Sequence, residues 1–383
     1  KLNHFSFYWI LTVSDPMKPI AQLFFVLLFI SRTFAVPVGL KKDSRVVLVG
    51  NGLGARMIHY GHFETEIHQR YPQHRLIIRN MCDEGNTPGF RPHSARNNPW
   101  AFPGAEKLRT LETSRDRWGS GNVGNGHYKT SDEWLKTLKP DLVVAFFGYG
   151  ESFSGVRGLT AFRAELEGFV KHTLSTKYNG RKAPNLALVS PIAFQDLSAI
   201  YGTPNGGDEN INLALYTSVM KEIASNHKVH FVDLFSPTLA WFESSAKPLT
   251  RDGALLTGEG YAKLSPLLAD RLFGKVKPFS TPDLFRLKKS VEEKNWLWLN
   301  YYKIPNGVHV FGRRHNPFGP KNYPAELQKL DQMMSVRDQG VWAALADEPF
   351  DMAAGDSKTD VLPDMGQNRA KYLSIDDATK AIA

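Results

Sequence analysis

Cysteine is almost absent from the sequence, which contains Cys82 and no other cysteine. A single cysteine excludes an intramolecular disulfide, a zinc knuckle built on paired cysteines and covalent attachment of a c-type haem. A chain of 383 residues does not depend on disulfides, because it is long enough to bury a large apolar core. We therefore expect a protein that folds without a disulfide, a metal or another cofactor.

Apolar runs of transmembrane length are also absent. The longest run lies near the N-terminus, from Ile20 to Ile30, and is shorter than an ordinary membrane-spanning helix. Lys18 precedes it and a Thr-Phe-Ala sequence ending at Ala35 follows it, as in a secretory signal peptide. We predict cleavage near Ala35 and export to the periplasm, the cell surface or the medium, with no stable membrane span afterwards. An uncleaved anchor is the alternative, and residues 1–16 are expected to precede the start methionine Met17.

Acidic residues are fewer than basic ones, and the formal charge is +9. The excess is spread along the chain, with its densest points at Lys41-Lys42 and at Arg313-Arg314. No basic stripe or nucleic-acid-binding motif accompanies them, so we interpret both as solvated surface and expect no nucleic-acid partner. A small molecule, a glycan or a peptide is the kind of ligand that remains.

Short apolar runs alternate with longer amphipathic segments between Arg45 and Gly274. Runs rich in Val, Leu, Ile and Phe are typical of parallel strands buried on both faces, and they predict strands at Arg45–Val49, Leu76–Arg79, Leu142–Phe147, Leu186–Val189 and His230–Val232. The segments between them predict helices at Ala55–Arg70, Leu159–Thr176, Asn210–Asn226 and Gly258–Phe273. This alternation indicates a three-layer α/β/α fold with a doubly wound, mostly parallel sheet. Ligands bind such sheets beyond the carboxyl ends of the strands.

The remaining segments differ in composition. Residues 86–130 are rich in Gly, Pro, Asn and Arg and predict a long loop insertion on the ligand side, either a lid or a variable insertion. Residues 278–346 predict a helical extension, with helices at Pro282–Tyr302 and Ala325–Ala346, the first packed on the main domain through its Trp and Tyr residues. Hydrophobic residues become sparse in residues 347–383, where Asp, Ser, Gly and Pro dominate, and this composition predicts a mostly disordered tail.

Glycine-rich or polar sequences follow the predicted strands. They are Val49-Gly50-Asn51-Gly52-Leu53, then Asn80-Met81-Cys82-Asp83-Glu84-Gly85-Asn86-Thr87, then Phe147-Gly148-Tyr149-Gly150-Glu151, and finally Asp252-Gly253-Ala254-Leu255 ahead of Gly260-Tyr261.

In order and placement these sequences resemble the conserved blocks of the SGNH (GDSL-type) hydrolases over residues 43–275. The resemblance implies an ester hydrolase fold of the flavodoxin-like kind, and the extension resembles that of exported bacterial relatives. It sets Gly52 at the position of the nucleophilic serine, Gly85 at the oxyanion-hole glycine, Gly150 at the oxyanion-hole asparagine, Asp252 at the aspartate and Leu255 at the histidine.

The residues that carry the chemistry of that family are therefore replaced at three positions. Without a hydroxyl or thiol there is no covalent acyl intermediate, and without an imidazole no group activates a nucleophile. Backbone N–H groups survive any substitution, so a site for a carbonyl or an anion would persist. We expect Asn51, Gly52, Gly85 and Glu151 to bind such a ligand, in a degenerate enzyme with no intact catalytic residue.

Three substitute chemistries are considered. Cys82 with His59, His62 or His93 would form a thiol nucleophile, although a buried structural cysteine is the simpler interpretation. Glu151 and Asp252 would form a carboxylate pair, although one capping a helix and the other orienting a loop is favoured. His59, His62 and Glu66 share a helical spacing suited to a metal, although a solvated helix face is favoured.

Three functions follow from these observations. The favoured one is an exported, catalytically degenerate protein that binds an acyl, glycan or peptide ligand. The first alternative is an active carboxylic- or carbohydrate-ester hydrolase that uses non-standard residues. The second alternative is an interaction scaffold.

Overall fold

The computed structural model describes residues 37–362, apart from residues 94, 95, 97, 109–125, 246, 305, 306, 313 and 314. The predicted signal peptide, the centre of the predicted insertion and most of the predicted tail lie outside the described residues.

A five-stranded parallel sheet lies at the centre of the protein, and it confirms the predicted α/β class. Its strands are β1 (Arg45–Gly50), β2 (Ile77–Asn80), β3 (Leu142–Phe146), β4 (Asn185–Val189) and β5 (His230–Val232). They pair in the order β2-β1-β3-β4-β5, which is the flavodoxin-like order of doubly wound sheets. In this order the chain reverses direction across the sheet between β1 and β3.

Helices surround the sheet. They are α1 (Gly52–Arg56), α2 (His62–Arg70), α3 (Ser131–Leu138), α4 (Tyr149–Ser152), α5 (Gly155–Ser175), α6 (Ser198–Tyr201), α7 (Gly207–His227), α8 (Phe235–Ser244), α9 (Gly258–Phe273), α10 (Leu284–Tyr302), α11 (Gly307–Val310), α12 (His315–Ala346) and α13 (Met352–Asp356).

Side chains that alternate along each strand form two apolar cores, one on each face of the sheet. Val47, Val143 and Leu188 pack with α3, α5, α7 and part of α10. Val46 and Val144 pack on the opposite face with α2 and α9. The strands are therefore covered on both sides, which explains why they read as continuous apolar runs rather than as alternating ones.

One predicted helix is broken in the structure. The segment 55–70 contains the end of α1, a short 3-10 helix and α2, and the break falls at Gly61, whose φ is +63°. A left-handed residue ends a helix, and glycine adopts that conformation without the strain that a Cβ would cause. The predicted starts of α5 and α7 were also a few residues late, whereas α9 has its predicted bounds.

The C-terminal extension covers the edge strand β2. Carbonyl oxygens on alternate residues of this strand and its approach accept hydrogen bonds from side chains of α10 and α12: Leu76 O from Trp342 Nε1 at 3.2 Å, Ile78 O from Lys294 Nζ at 3.0 Å and Asn80 O from Trp298 Nε1 at 2.6 Å. An exposed sheet edge offers unpaired carbonyls to other chains, and this one is closed.

The expected disorder from residue 347 is wrong for the part of the tail that the structure describes. Met352–Asp356 form α13, and the carboxylate of Asp356 pairs with the buried Arg337 on α12. A local ion pair and a capped helix hold this segment despite its polar composition. Among the described residues, no helix is both long enough and apolar enough to cross a membrane.

Candidate functional site

A cavity of about 410 Å³ opens at the carboxyl edge of the sheet. The segments that follow β1, β2, β3 and β4 each contribute to its wall, together with the loop before α9. Its lining residues are Asn51, Gly52, Leu53, Glu84, Gly85, Asn86, Thr87, Tyr149, Gly150, Phe153, Pro191, Ile192, Ala254 and Leu255. The structure thus brings Gly52, Gly85, Gly150 and Leu255 together around one space, but Asp252 does not line it.

Two of the cavity glycines are not required by the backbone. A Cβ at Gly52 would meet only Glu84 Cγ at 3.7 Å, and a Cβ at Gly150 would meet nothing within 4 Å. By contrast, a Cβ at Gly50 would lie 2.0 Å from Phe146 O, and one at Gly54 would lie 2.5 Å from Cys82 Sγ. Glycine is therefore fixed by packing at residues 50 and 54, whereas residues 52 and 150 have room for a side chain.

Three residues of the cavity wall carry backbone donors without an acceptor. The N–H groups of Gly52 and Gly150 lie in the first turns of α1 and α4, where no helical acceptor exists. The N–H of Gly85 lies in the turn after β2, which is closed by a hydrogen bond from Asn86 N to Asp83 O. None of these three N–H groups has an acceptor in the described part of the chain. They are suited to bind a carbonyl oxygen or an anion.

Two buried asparagines on the wall each carry an unpartnered amide atom. Asn86 Nδ2 donates to Gly50 O at 3.1 Å, while Asn86 Oδ1 has no partner among the described residues. Asn51 Nδ2 is also buried without one. A buried polar atom without a partner destabilises the fold by about 1–3 kcal/mol, so these atoms favour a site that binds a polar group.

Glu151, expected to bind ligand, is not a lining residue. Its Oε2 accepts the N–H of Gly148 at 3.0 Å and so caps α4. Its Oε1 is buried without a partner, and burial raises the pKa of this carboxyl to about 7. Asp252 is exposed and accepts the N–H groups of Ala254 and Leu255 at 3.0 and 2.8 Å. One carboxylate caps a helix and the other orients a loop, which is the favoured interpretation of this pair.

The thiol and metal alternatives find little support. Cys82 is 2% exposed, and burial raises the pKa of its thiol, which disfavours the nucleophilic thiolate. Burial lowers the pKa of His59 and of His62. Glu66 Oε1 is bound to Arg70 Nη2 at 2.8 Å. In the described ranges, no three His, Cys, Asp or Glu residues are grouped to hold a metal ion.

Thr87 and Glu165 form a polar contact that the sequence did not reveal. Thr87 lies on the cavity wall, and its Oγ1 donates to Glu165 Oε2 at 2.7 Å. The same carboxylate oxygen accepts the N–H of Gly89 at 3.1 Å. Glu165 lies on the buried face of α5, so a single acidic residue inside an apolar helical pattern is the signal that would have identified it.

Aromatic residues of the cavity were also missed. Tyr149 and Phe153 line the wall, with their rings in an edge contact at 5.4 Å. Burial, together with the carboxylates of Asp252 and Glu209, raises the pKa of Tyr149 to about 12, so its phenol is neutral at physiological pH. These aromatic side chains and the neighbouring Pro191 and Ile192 make the cavity largely apolar around its backbone donors.

Comparisons with known proteins identify no family. No protein-family model and no curated protein matches the chain. Among solved structures, it is similar to a GDSL-like lipase from Parabacteroides merdae (14% identity, 62% of this chain, 99% of that one, TM-score 0.43) and to an acetylxylan esterase from Geobacillus stearothermophilus (14%, 63%, 99%, 0.42). It also resembles a gut microbial diltiazem-metabolizing enzyme (12%, 62%, 0.43), of which it spans 48%. Identities and TM-scores this low do not indicate the activity of this chain. The fold class described above rests on the topology of the sheet.

Proposed function

We propose that this is an exported protein of the SGNH type whose cavity binds an acyl, glycan or peptide ligand without hydrolysing it. The observation that carries the proposal is that Gly52, Gly85 and Gly150 line one cavity and have unpaired backbone N–H groups. All three ligand classes commonly present a carbonyl oxygen, which such donors bind.

The absence of hydrolysis is supported by the side chains of the lining residues. Gly52 offers no hydroxyl, and Leu255 offers no imidazole. In enzymes that use such groups, removing one of them lowers turnover by about 10⁴- to 10⁶-fold. Residues 52 and 150 have room for larger side chains, so packing does not explain why glycine occupies these two positions.

Apolar walls add a second requirement for the ligand. Phe153 lines the cavity, and its side chain is 70% exposed at the mouth. Leu53, Ile192 and Leu255 line the interior. A short acyl chain or the methyl of an acetyl group would fill this space while its carbonyl meets the backbone donors.

One observation favours a second function, an ester hydrolase with an unusual nucleophile. Thr87 Oγ1 lies on the cavity wall and donates to Glu165 Oε2 at 2.7 Å, so a hydroxyl and a carboxylate base are in contact. The same hydroxyl accepts the N–H of Phe90 at 3.2 Å, which is a structural role. In this function Thr87→Val would abolish hydrolysis.

Amide chemical shifts test the proposed binding. The protein is titrated with methyl butyrate, N-acetylglucosamine and an acetylated dipeptide amide, each of which supplies a carbonyl. We expect saturable shifts of the Gly52, Gly85 and Gly150 amides with at least one compound, no hydrolysis product, and loss of the shifts in Ala254→Trp, which fills the cavity. The absence of saturable shifts with all three compounds would refute the proposed ligand class, and accumulation of acid would favour the hydrolase.

Export is the second part of the proposal and rests on the sequence before residue 37. Protein recovered from the host envelope or medium should begin at Val36 when its N-terminus is sequenced. An N-terminus at Met17 in the membrane fraction would favour the anchor.

A further inference from the structure

Exposed cationic side chains precede every strand of the sheet. Since all five strands are parallel, the residues just before them lie at one end of the protein, opposite the cavity. We refer to this end as the amino-edge face. Its exposed cations include Lys41 and Lys42 before β1, Arg75 before β2, Lys139 before β3, Arg181 before β4 and Lys228 before β5.

The end of α9 adds Lys275 and Lys277 to the same face. Val38 N, just before β1, donates to Leu272 O at 2.8 Å. His230 Nε2, at the start of β5, lies 2.8 Å from Arg271 O. These contacts place residues 271–277 beside the approaches to two strands, so their cations join those of the other loops.

Acidic groups do not balance this charge within the loops themselves. The end of α12, which lies beside Arg75 through Trp342, adds the exposed carboxylates of Asp347 and Glu348. Asp347 Oδ1 lies 3.8 Å from Arg286 Nη2. Among the described residues of these loops, the one exposed carboxylate is Asp43, whose Oδ1 lies 3.9 Å from Arg75 Nε. The carboxylate of Asp141 is partly buried and accepts the N–H of Arg45 at 3.0 Å. The sequence spreads its basic residues widely, whereas the fold gathers many of them at one end.

Apolar side chains are exposed among these lysines. Val276 lies between Lys275 and Lys277 and is 39% exposed, and Phe279 is 46% exposed. The backbone of Phe279 is fixed, because its N–H donates to Gln69 O at 2.8 Å and its carbonyl accepts from Gln69 Nε2 at 3.2 Å. Lysines interleaved with exposed apolar residues are the composition of surfaces that lie on a membrane.

The chain also enters the described structure at this face. A Cβ on Gly274 would lie 3.3 Å from Pro37 Cγ, so Pro37 is adjacent to the end of α9. The described chain therefore begins at this face.

We propose that the amino-edge face docks on the surface of an anionic lipid bilayer, with the cavity at the far end of the sheet turned away from the membrane. Anionic headgroups attract the lysines over a Debye length of roughly 8–10 Å. Val276 and Phe279 then enter the headgroup layer. A nucleic acid would satisfy the same cations, but it gives no role to these two apolar side chains.

Vesicle co-sedimentation of the full chain tests the proposal. Vesicles of phosphatidylcholine with phosphatidylglycerol are compared with vesicles of phosphatidylcholine alone, at low and high salt. We expect binding to the anionic vesicles that salt weakens. Lys275→Ala with Lys277→Ala should lower the partition coefficient about 25-fold, since each lysine near an anionic surface contributes about fivefold.

The matched control removes two cations from the cavity end. Arg157 and Arg251 are exposed there, and Arg157→Ala with Arg251→Ala should leave vesicle binding unchanged. Both double variants carry the same N-terminal segment, so their difference reports the face alone. Equal, salt-insensitive binding by all forms would overturn the proposal and assign binding to residues 1–36.

The variant Phe279→Ser distinguishes binding to a membrane from binding to a nucleic acid. It should weaken vesicle binding while retaining every charge. If Phe279→Ser leaves vesicle binding unchanged, and duplex DNA binds more tightly than the vesicles with the same loss in the double lysine variant, the partner is a nucleic acid and the lipid proposal is wrong.

Discussion

Buried polar groups on the cavity wall and at the interface of the C-terminal extension differ in their hydrogen-bond pairing. At the cavity, Asn51 Nδ2 and Asn86 Oδ1 are buried without partners in the described structure. At the interface, Arg79 binds Asp338 through two hydrogen bonds of 3.1 and 2.6 Å, and both side chains are buried. A charged pair is thus satisfied on both sides where it joins the extension to the sheet, whereas two amide atoms are left open where a ligand would enter.

A second buried charge, on Lys294, also attaches the extension to the main domain. Lys294 is 1% exposed, and its Nζ donates to Glu64 Oε2 at 2.7 Å, to Asn295 Oδ1 at 2.7 Å and to Ile78 O at 3.0 Å. A buried lysine with three acceptors is a demanding arrangement that a loosely attached segment would not contain. The extension is therefore packed as part of the fold.

Removing Asp338 should have the largest effect on stability. Asp338→Ala leaves Arg79 as a buried charge without its carboxylate, which we expect to lower the free energy of unfolding by about 3–5 kcal/mol. Arg163 and Glu222 form a bidentate pair of the same kind, at 2.7 Å in both bonds, on the exposed surface. Glu222→Ala should therefore change the free energy by less than about 1 kcal/mol in the same urea titration. Equal losses would contradict the assignment of the interface as the stabilising region.

Glu151 should have the second largest effect, and it depends on pH. Its pKa is raised by burial to about 7 in the folded protein, above the ordinary value of 4.5. Between pH 4.5 and pH 7 the Glu151 carboxyl is ionised in the unfolded chain but still protonated in the folded protein. The stability that the neutral carboxyl provides is therefore fully present below pH 4.5 and is lost as the pH rises through 7. Relative to Glu151→Gln, the wild type should lose about 2–3 kcal/mol between pH 4.5 and pH 8. A constant difference between the two proteins would contradict the raised pKa.

Glu64 at the interface should show the opposite sign. Burial opposes its ionisation, but Lys294 and His68 outweigh that effect, and the pKa of Glu64 is lowered. Its contribution to stability is then present above pH 4.5 and lost as pH falls further. Glu64→Gln should therefore flatten the acid side of the stability profile, as Glu151→Gln flattens the neutral side.

Phe153→Ala should have the smallest effect on stability. The side chain is 70% exposed, so its removal should change the free energy of unfolding by less than about 0.5 kcal/mol. Because the ring lines the cavity mouth, the affinity for an acyl ligand should fall by about fivefold. Calorimetric titration and thermal melting of the same sample measure both quantities, and a large loss of stability with intact affinity would reverse the comparison.

The sheet was predictable because its strands are buried on both faces. Each predicted strand overlaps an observed one, and Trp298 packs on the main domain as its position in an amphipathic segment indicates. The pairing of Arg79 with Asp338 was not predictable, since it joins residues 259 positions apart and neither lies in a motif. The clustering of lysines at the amino-edge face was not predictable either, because it depends on which loops the topology places together.

The cavity was predictable only in part. Gly52, Gly85, Gly150 and Leu255 were found through their block order, which fixes the strand ends on which they lie. Glu151 was assigned to the ligand because it follows Gly150, but its carboxyl caps Gly148 instead. Phe153 follows the motif after β3 by two residues and Thr87 ends the motif after β2, so no sequence feature singles out either side chain.

Ester hydrolysis by the wild-type protein tests the central claim most directly. The initial rate with a nitrophenyl acetate is compared with that of the denatured protein and with that of Gly52→Ser, Gly150→Asn, Leu255→His. We predict no rate above the denatured control for the wild type, since neither Gly52 nor Leu255 supplies a catalytic group. A clear wild-type rate that Ala254→Trp eliminates would contradict a non-catalytic cavity, and its loss in Thr87→Val or in Cys82→Ala would identify the nucleophile.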